Sequence, residues 1–196
     1  TVAVLCAGLM AGCGASSTTA DTSYSAENPL VLTLAHGLSE AHTVHIAMTQ
    51  FAEEVNEKTG GRVQVKIFPN GQLGSENENL EQLQAGVIAM TKVSAPGLAT
   101  YNDAFNTFGL PYIFNDTDDF YHVMDSQEMQ DFFLSTGDDG FVTLTYYTSG
   151  ARSFYTKDRA IRTPADLKGL KIRVQDMKSQ TDMMSYLGGI PVAMSY

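Results

Sequence analysis

Arginine is well suited to grip a carboxylate, because its planar fork offers two parallel N–H donors to the two oxygens. Two arginines stand where such a grip could form. Arg173 lies in Leu170-Lys171-Ile172-Arg173-Val174, where apolar and cationic residues alternate. A period of two puts Leu170, Ile172 and Val174 on one strand face and Lys171 and Arg173 on the other. Arg152 follows an aromatic, β-branched run that ends near Tyr147. An arginine at a strand end can point into a cleft. The competing reading is a solvated basic face paired with the acidic first half of the chain.

Covalent catalysis has no comparable candidate. Cys6 and Cys13 are the only cysteines, and neither falls in the body of the chain. No G-x-S-x-G, P-loop or G-x-G-x-x-G occurs. His42 and His45 stand three apart with Glu40 nearby, a spacing that a metal could use. The reading preferred over a metal site is an exposed helix start and a packed histidine, and His122 reads as a helix-surface residue.

The elements that must position these groups alternate in type. Residues 30–35 (L-V-L-T-L-A) form a short apolar run, read as a buried strand. Val44, Ala47, Met48, Phe51, Ala52 and Val55 recur at helical spacing, and Gly60 and Gly61 stop that helix. Val63, Val65 and Ile67 alternate as in a strand, and Pro69-Asn70-Gly71 is a turn. Ser75 followed by Glu78 is a capping box opening a helix through Leu80 and Leu83. Residues 87–93 are the next strand candidate, and 110–114 an apolar loop or short strand. Residues 116–133 read as helical, and residues 141–147 as a strand. Strand–helix alternation implies βαβ units and a largely parallel sheet, an α/β fold.

Charge narrows the function. The 196 residues carry 12 basic and 22 acidic side chains, a formal net of −10. Such a chain is a poor nucleic-acid binder, since that binding runs on neutralised phosphates. Residues 1–150 hold 4 basic and 18 acidic groups, whereas residues 151–196 hold 8 and 4. The change of sign falls beside Ser149-Gly150, the expected crossover between domains.

Both ends read as cut, so the sequence is expected to be a piece of a longer protein, marginally stable and weak in binding by itself. Residues 1–13 are short, apolar and uncharged, as in the hydrophobic part of a secretory signal. Leu9-Met10-Ala11-Gly12-Cys13 resembles the bacterial lipoprotein signal, which implies lipidation at Cys13 and a membrane anchor. The alternative is a buried apolar strand. Residues 14–27 are mostly Ser, Thr, Ala and Gly, a flexible tether.

From residue 30 onward the chain resembles a substrate-binding protein of the tripartite ATP-independent periplasmic (TRAP) transporters, dicarboxylate-receptor type. The motifs occur in order: G-G-R-V at 60–63, P-N-G-Q-L-G-S-E at 69–76, E-Q-L-Q-A-G at 81–86 and L-P-Y-I-F at 110–114. They continue with G-A-R at 150–152, P-A-D-L-K-G-L-K-I-R-V at 164–174 and L-G-G-I-P at 187–191. The resemblance implies a two-lobed periplasmic-binding-protein-like fold that closes over an organic acid, with mixed or largely parallel sheets flanked by helices. Residues 28–148 would form the first lobe, and residues 149–196 the start of an incomplete second. By resemblance Arg173 is the main carboxylate partner and Arg152 a second basic contact. Tyr196 falls at an aromatic wall of the cleft, and Asp176, Ser94 and His36 at positions that approach the ligand. Gln175 replaces a common proline, and Ala89 a usual acidic residue.

The function expected is capture of an organic acid for delivery to integral membrane transporter subunits, with no cofactor, no metal and no turnover. The alternatives are an ABC-type or sensor-type binding lipoprotein and an enzyme on the same kind of fold.

Overall fold

The structure is a computed structural model that describes residues 23–148 and 150–194. Its first unit is built on three parallel strands in the order β2-β1-β3. The central strand β1 (Leu30–Ala35) pairs along its whole length with β2 (Val63–Phe68), Leu30 facing Val63 and Ala35 facing Phe68. Parallel neighbours need a crossover, and α1 (Thr43–Lys58) supplies it. The His42 side chain caps α1 by accepting from Val44 N at 3.1 Å. After Lys58 the chain turns through Gly60 (φ 59°) and Gly61 (φ 81°), left-handed values that glycine adopts without steric cost.

The chain then crosses to the other edge. The helix α2 (Glu76–Gln84) opens with the expected capping box: Glu78 N donates to Ser75 Oγ, and Ser75 N donates to Glu78 Oε2. Of the strand expected over 87–93, only β3 (Met90–Thr91) joins the ladder, beside Leu34 and Ala35 of β1. Leu34, Leu38, Val44 and Met48 form the core beneath this sheet, with Val65, Ile67 and Met90 packed on it. Fully burying one such side chain contributes about 1.5–3 kcal/mol.

A short helix α3 (Ala95–Leu98) and a 3-10 segment (Asp103–Gly109) follow. The apolar 110–114 run is a turn rather than a strand, with Tyr112 fully exposed at φ 58°. The helix expected over 116–133 is two helices, α4 (Thr117–Met124) and α5 (Gln127–Ser135). Ser126 breaks the run because its Oγ accepts from Met129 N and starts a new helix. The strand expected over 141–147 is absent: these residues carry no ladder among the described residues. Aromatic and β-branched side chains suit a pleated surface, but a strand requires a hydrogen-bonding neighbour. Here side chains tether the segment, Thr143 N donating to Thr136 Oγ1 at 2.9 Å and the Tyr146 hydroxyl to Asp125 Oδ1 at 2.6 Å.

The second unit is a parallel pair, β4 (Lys171–Val174) and β5 (Ile190–Ala193), joined by α6 (Lys178–Tyr186). As the alternation predicts, Ile172 and Val174 turn inward while Lys171 and Arg173 stay exposed. Leu167, Val174 and Met184 form the core, supported by Ile161, Ile172 and Leu187. The 164–174 motif has a local physical basis. The Asp166 carboxylate accepts from Arg162 N, Thr163 N and the Thr163 hydroxyl. Those donors hold its pKa below the usual range, the Arg162 amide first among them. Gly189 is equally constrained, since a Cβ there would lie 2.4 Å from Met184 Sδ.

The two units meet where the 103–109 segment packs on α6, with Gln180 Nε2 donating to Gly109 O at 2.6 Å. Among the described residues no helix is long and apolar enough to cross a membrane.

Candidate functional site

In an open parallel sheet, ligands bind beyond the carboxyl ends of the strands, where the connections leave in opposite directions. Here that point lies between β1, whose connection runs to β2 on one edge, and β3 on the other. His36 follows β1, and Lys92 and Ser94 follow β3. A shallow cleft, about 310 Å³ of space between atoms with its open solvent included, lies there and reaches across to the second unit. Glu76, Asn77, Ser94, Gly97 and Thr100 line one side, and Arg173, Gln175, Asp176 and Met194 the other. Three expected residues, Arg173, Ser94 and Asp176, thus share one cleft.

On the first wall the controlling group is Glu76, the opening residue of α2, only 3% exposed. Lys92 Nζ donates to its Oε1 at 3.3 Å, and the Ser94 hydroxyl donates to its Oε2. Burying a carboxylate is costly unless it is paired and hydrogen-bonded, and both conditions hold here. Position at the first turn of α2 adds a favourable dipole. Because Ser94 gives its proton to Glu76, it meets the cleft as an acceptor. On the facing wall, Arg173 is exposed on the solvent face of β4, and its Nη2 donates to Met194 O at 2.8 Å. Register explains that bond, since Arg173 pairs with Val192 of β5 and Met194 is the next residue but one. Asp176 is exposed two residues beyond β4, and Gln175 is buried beside it.

The cleft therefore sets one guanidinium against a wall of oxygen acceptors. Such a wall suits a ligand with a carboxylate at one end and hydroxyl donors at the other.

The remaining expected residues lie elsewhere. His36 is fully buried behind the first wall and does not line the cleft; both ring nitrogens are engaged, one by Leu38 N and one by His45. Arg152 is exposed and does not line it either. Tyr196 and Cys13 lie outside the described residues. The histidines weighed as metal ligands are otherwise employed, His42 in capping α1 and His45 on His36. Among the described residues no group of three or more His, Cys, Asp and Glu could hold a metal. Glu76 and Lys92 were not singled out by sequence reasoning. Glu76 sits between the capping serine and its glutamate partner, so a local reading assigns that stretch to the cap alone.

The model of the bacterial extracellular solute-binding protein family 7, DctP, matches residues 34–196. The uncharacterized protein YiiZ of Salmonella typhimurium is 37% identical over 174 residues, covering 88% of this chain and 53% of that protein. A TRAP periplasmic solute-binding protein from Anaerococcus prevotii, solved with bound D-glucuronate, is 36% identical with a TM-score of 0.81, over 85% of this chain and 54% of that one. A TRAP periplasmic solute-binding protein from Sulfitobacter, solved with bound β-D-galacturonate, is 33% identical with a TM-score of 0.80, over 84% of this chain and 55% of that one. The chain thus spans about half the length of the relatives it matches, and its fold is that of the two-lobed periplasmic binding proteins. A parallel α/β framework with a cleft at its switch point, a family model spanning residues 34–196 and these neighbours agree: the chain belongs to the family 7 bacterial extracellular solute-binding proteins.

Proposed function

We propose that the protein is the extracytoplasmic receptor of a TRAP transporter and captures a hydroxylated monocarboxylate, a hexuronate or similar sugar acid, without turning it over. The observation that carries this reading is the composition of the cleft: Arg173, with Asp176 beside it, faces Glu76 and Ser94 across one space. Arg173 pairs with the ligand carboxylate, exchanging its bond to Met194 O for a charge-assisted one. Hydroxyl groups on the ligand donate to Ser94 and to the Glu76 and Asp176 carboxylates. A dicarboxylate fits this arrangement less well, since its second anionic end meets the acceptor oxygens of Ser94 and Glu76 on the facing wall. The sugar acids bound by the Anaerococcus and Sulfitobacter proteins support the same class.

Other assignments rest on the family resemblance. Arg152 and Tyr196 complete the cleft as a second cation and an aromatic wall when the lobes, residues 28–148 and the part starting at 149, close about a hinge. His36 acts from behind the wall through the loop it organises. Cys13 carries a lipid that holds the receptor at the membrane, residues 14–27 serve as its tether, and two integral membrane subunits accept the solute.

The test is calorimetry on the protein as its host produces it, with D-glucuronate, D-galacturonate and D-galactonate against succinate and malate. The sugar acids bind more tightly. Equal or tighter binding of succinate would remove the acceptor-wall explanation, and binding of no acid would remove the receptor reading.

A further inference from the structure

The His36 ring is wholly buried, yet neither of its nitrogens faces the ligand cleft. Leu38 N donates to His36 Nδ1 at 3.1 Å, so that nitrogen carries no proton. Nε2 must then hold the hydrogen that faces His45 Nδ1 at 3.0 Å. His45 Nδ1 is the acceptor, so its proton sits on Nε2, 3.4 Å from Thr49 Oγ1. The Thr49 hydroxyl in turn donates to His45 O at 3.0 Å. Every proton is assigned, both rings are neutral, and the chain of donors runs one way from the loop after β1 into α1.

An added proton has no place in this chain. On His36 Nδ1 it evicts the Leu38 amide; on His45 Nδ1 it sets two N–H groups face to face. The titratable neighbours of the His36 ring are His45 on α1, His42 at the α1 cap and Lys92 just past β3, and each opposes a proton there. β2 meets the residue through its backbone, Phe68 O accepting from His36 N at 3.1 Å. Burial first, and His45 next, lower the His36 pKa from its ordinary 6.5 to about 4.

His36 also knits together the loops that carry the cleft wall. Gly71 N donates to His36 O at 3.0 Å, and Asn70 N to Leu38 O at 2.9 Å. The 69–71 turn leads directly into the Ser75 cap and Glu76. We propose that His36 and His45 form an acid-sensitive latch: acid protonates His36, frees the β1–α1 loop and the 69–71 turn, and loosens the Glu76 wall. Between pH 6.5 and 4 the unfolded chain binds the extra proton and the native latch does not, so stability falls as pH drops through that window and levels off below it. The difference of about 2.5 units corresponds to roughly 300-fold in the folding equilibrium.

The test needs no ligand and so stands apart from the identity of the solute. Imidazole nitrogen NMR and amide exchange are followed from pH 7.5 to 3.5 on the intact protein. His36 keeps its neutral Nε2–H form until protection over 36–42 and 69–76 is lost, both changes sharing one midpoint. The acid slope of Tm flattens in His36→Asn, whose shorter side chain still accepts from Leu38 N and does not titrate. Should that variant fail to fold, His45→Gln, which keeps an acceptor for Nε2–H but removes the His45 contribution that lowers the His36 pKa, shifts the midpoint to less acid pH. The latch is overturned by a folded-state His36 that titrates near 6.5 with amide protection intact, by an unchanged acid slope in His36→Asn, or by an unshifted midpoint in His45→Gln.

Discussion

Replacing Glu76 by alanine removes the carboxylate that organises one wall of the cleft. The residue is 3% exposed and accepts from both Lys92 and Ser94. Breaking a buried charge pair costs about 3–5 kcal/mol when the remaining charge stays unsolvated. Lys92 keeps 20% side-chain exposure and so recovers part of its hydration, which places the loss near the lower limit, about 3 kcal/mol. For a chain of this size each kcal/mol lowers Tm by about 2–4 °C, so a drop of about 6–12 °C is expected. Glu76→Gln keeps the volume and an acceptor for Ser94 while surrendering the charge. Charge-assisted hydrogen bonds are roughly twice as strong as neutral ones, so about half the loss remains. Thermal and urea melts followed by far-UV circular dichroism measure both variants. A Glu76→Ala protein melting within about 2 °C of wild type would refute the role given to the buried carboxylate, as would a Gln variant damaged as much as the Ala one.

Two packing changes follow from the same geometry. Met184 is fully buried in the core of the second unit, and Met184→Ala is expected to cost about 2–5 kcal/mol, read as a fall in urea midpoint at unchanged m value. Gly109→Ala sets a Cβ 2.0 Å from Met177 Sδ and 2.5 Å from Ser179 Oγ, where the two units touch. It is expected to cost about 1–3 kcal/mol and to raise amide exchange in α6 more than in α1. Equal exchange in both helices would place the strain elsewhere.

The first βαβ unit was readable because each of its elements declares itself locally. Alternation at Val63, Val65 and Ile67, the helical face from Val44 to Val55 and the Ser75–Glu78 box all reappear as β2, α1 and the start of α2. The faces of β4 were readable for the same reason, two residues being the whole period. Residues 141–147 show the limit of such reasoning, since propensity describes a side chain on a sheet and cannot supply the neighbour. Ser126 shows another: a serine between two helical patterns is both a tolerable helix residue and a strong cap, and only the bond to Met129 N decides. Glu76 was missed because burial of a carboxylate depends on partners 16 and 18 residues away, Lys92 and Ser94, which no local pattern joins to it. His36 was assigned to the ligand by its place after β1, and the structure places it behind the wall because its ring turns toward α1.

The most direct test of the account is the affinity of the intact protein for D-glucuronate, by calorimetry, in wild type, Arg173→Ala and Arg173→Lys. Truncating Arg173 leaves the ligand carboxylate in the cleft without its partner, a loss of roughly 3–5 kcal/mol, or about 10²–10⁴-fold in Kd. The lysine variant keeps the charge but not the fork, and falls between the two. Wild-type affinity in Arg173→Ala would contradict the carboxylate pairing on which the proposed function rests.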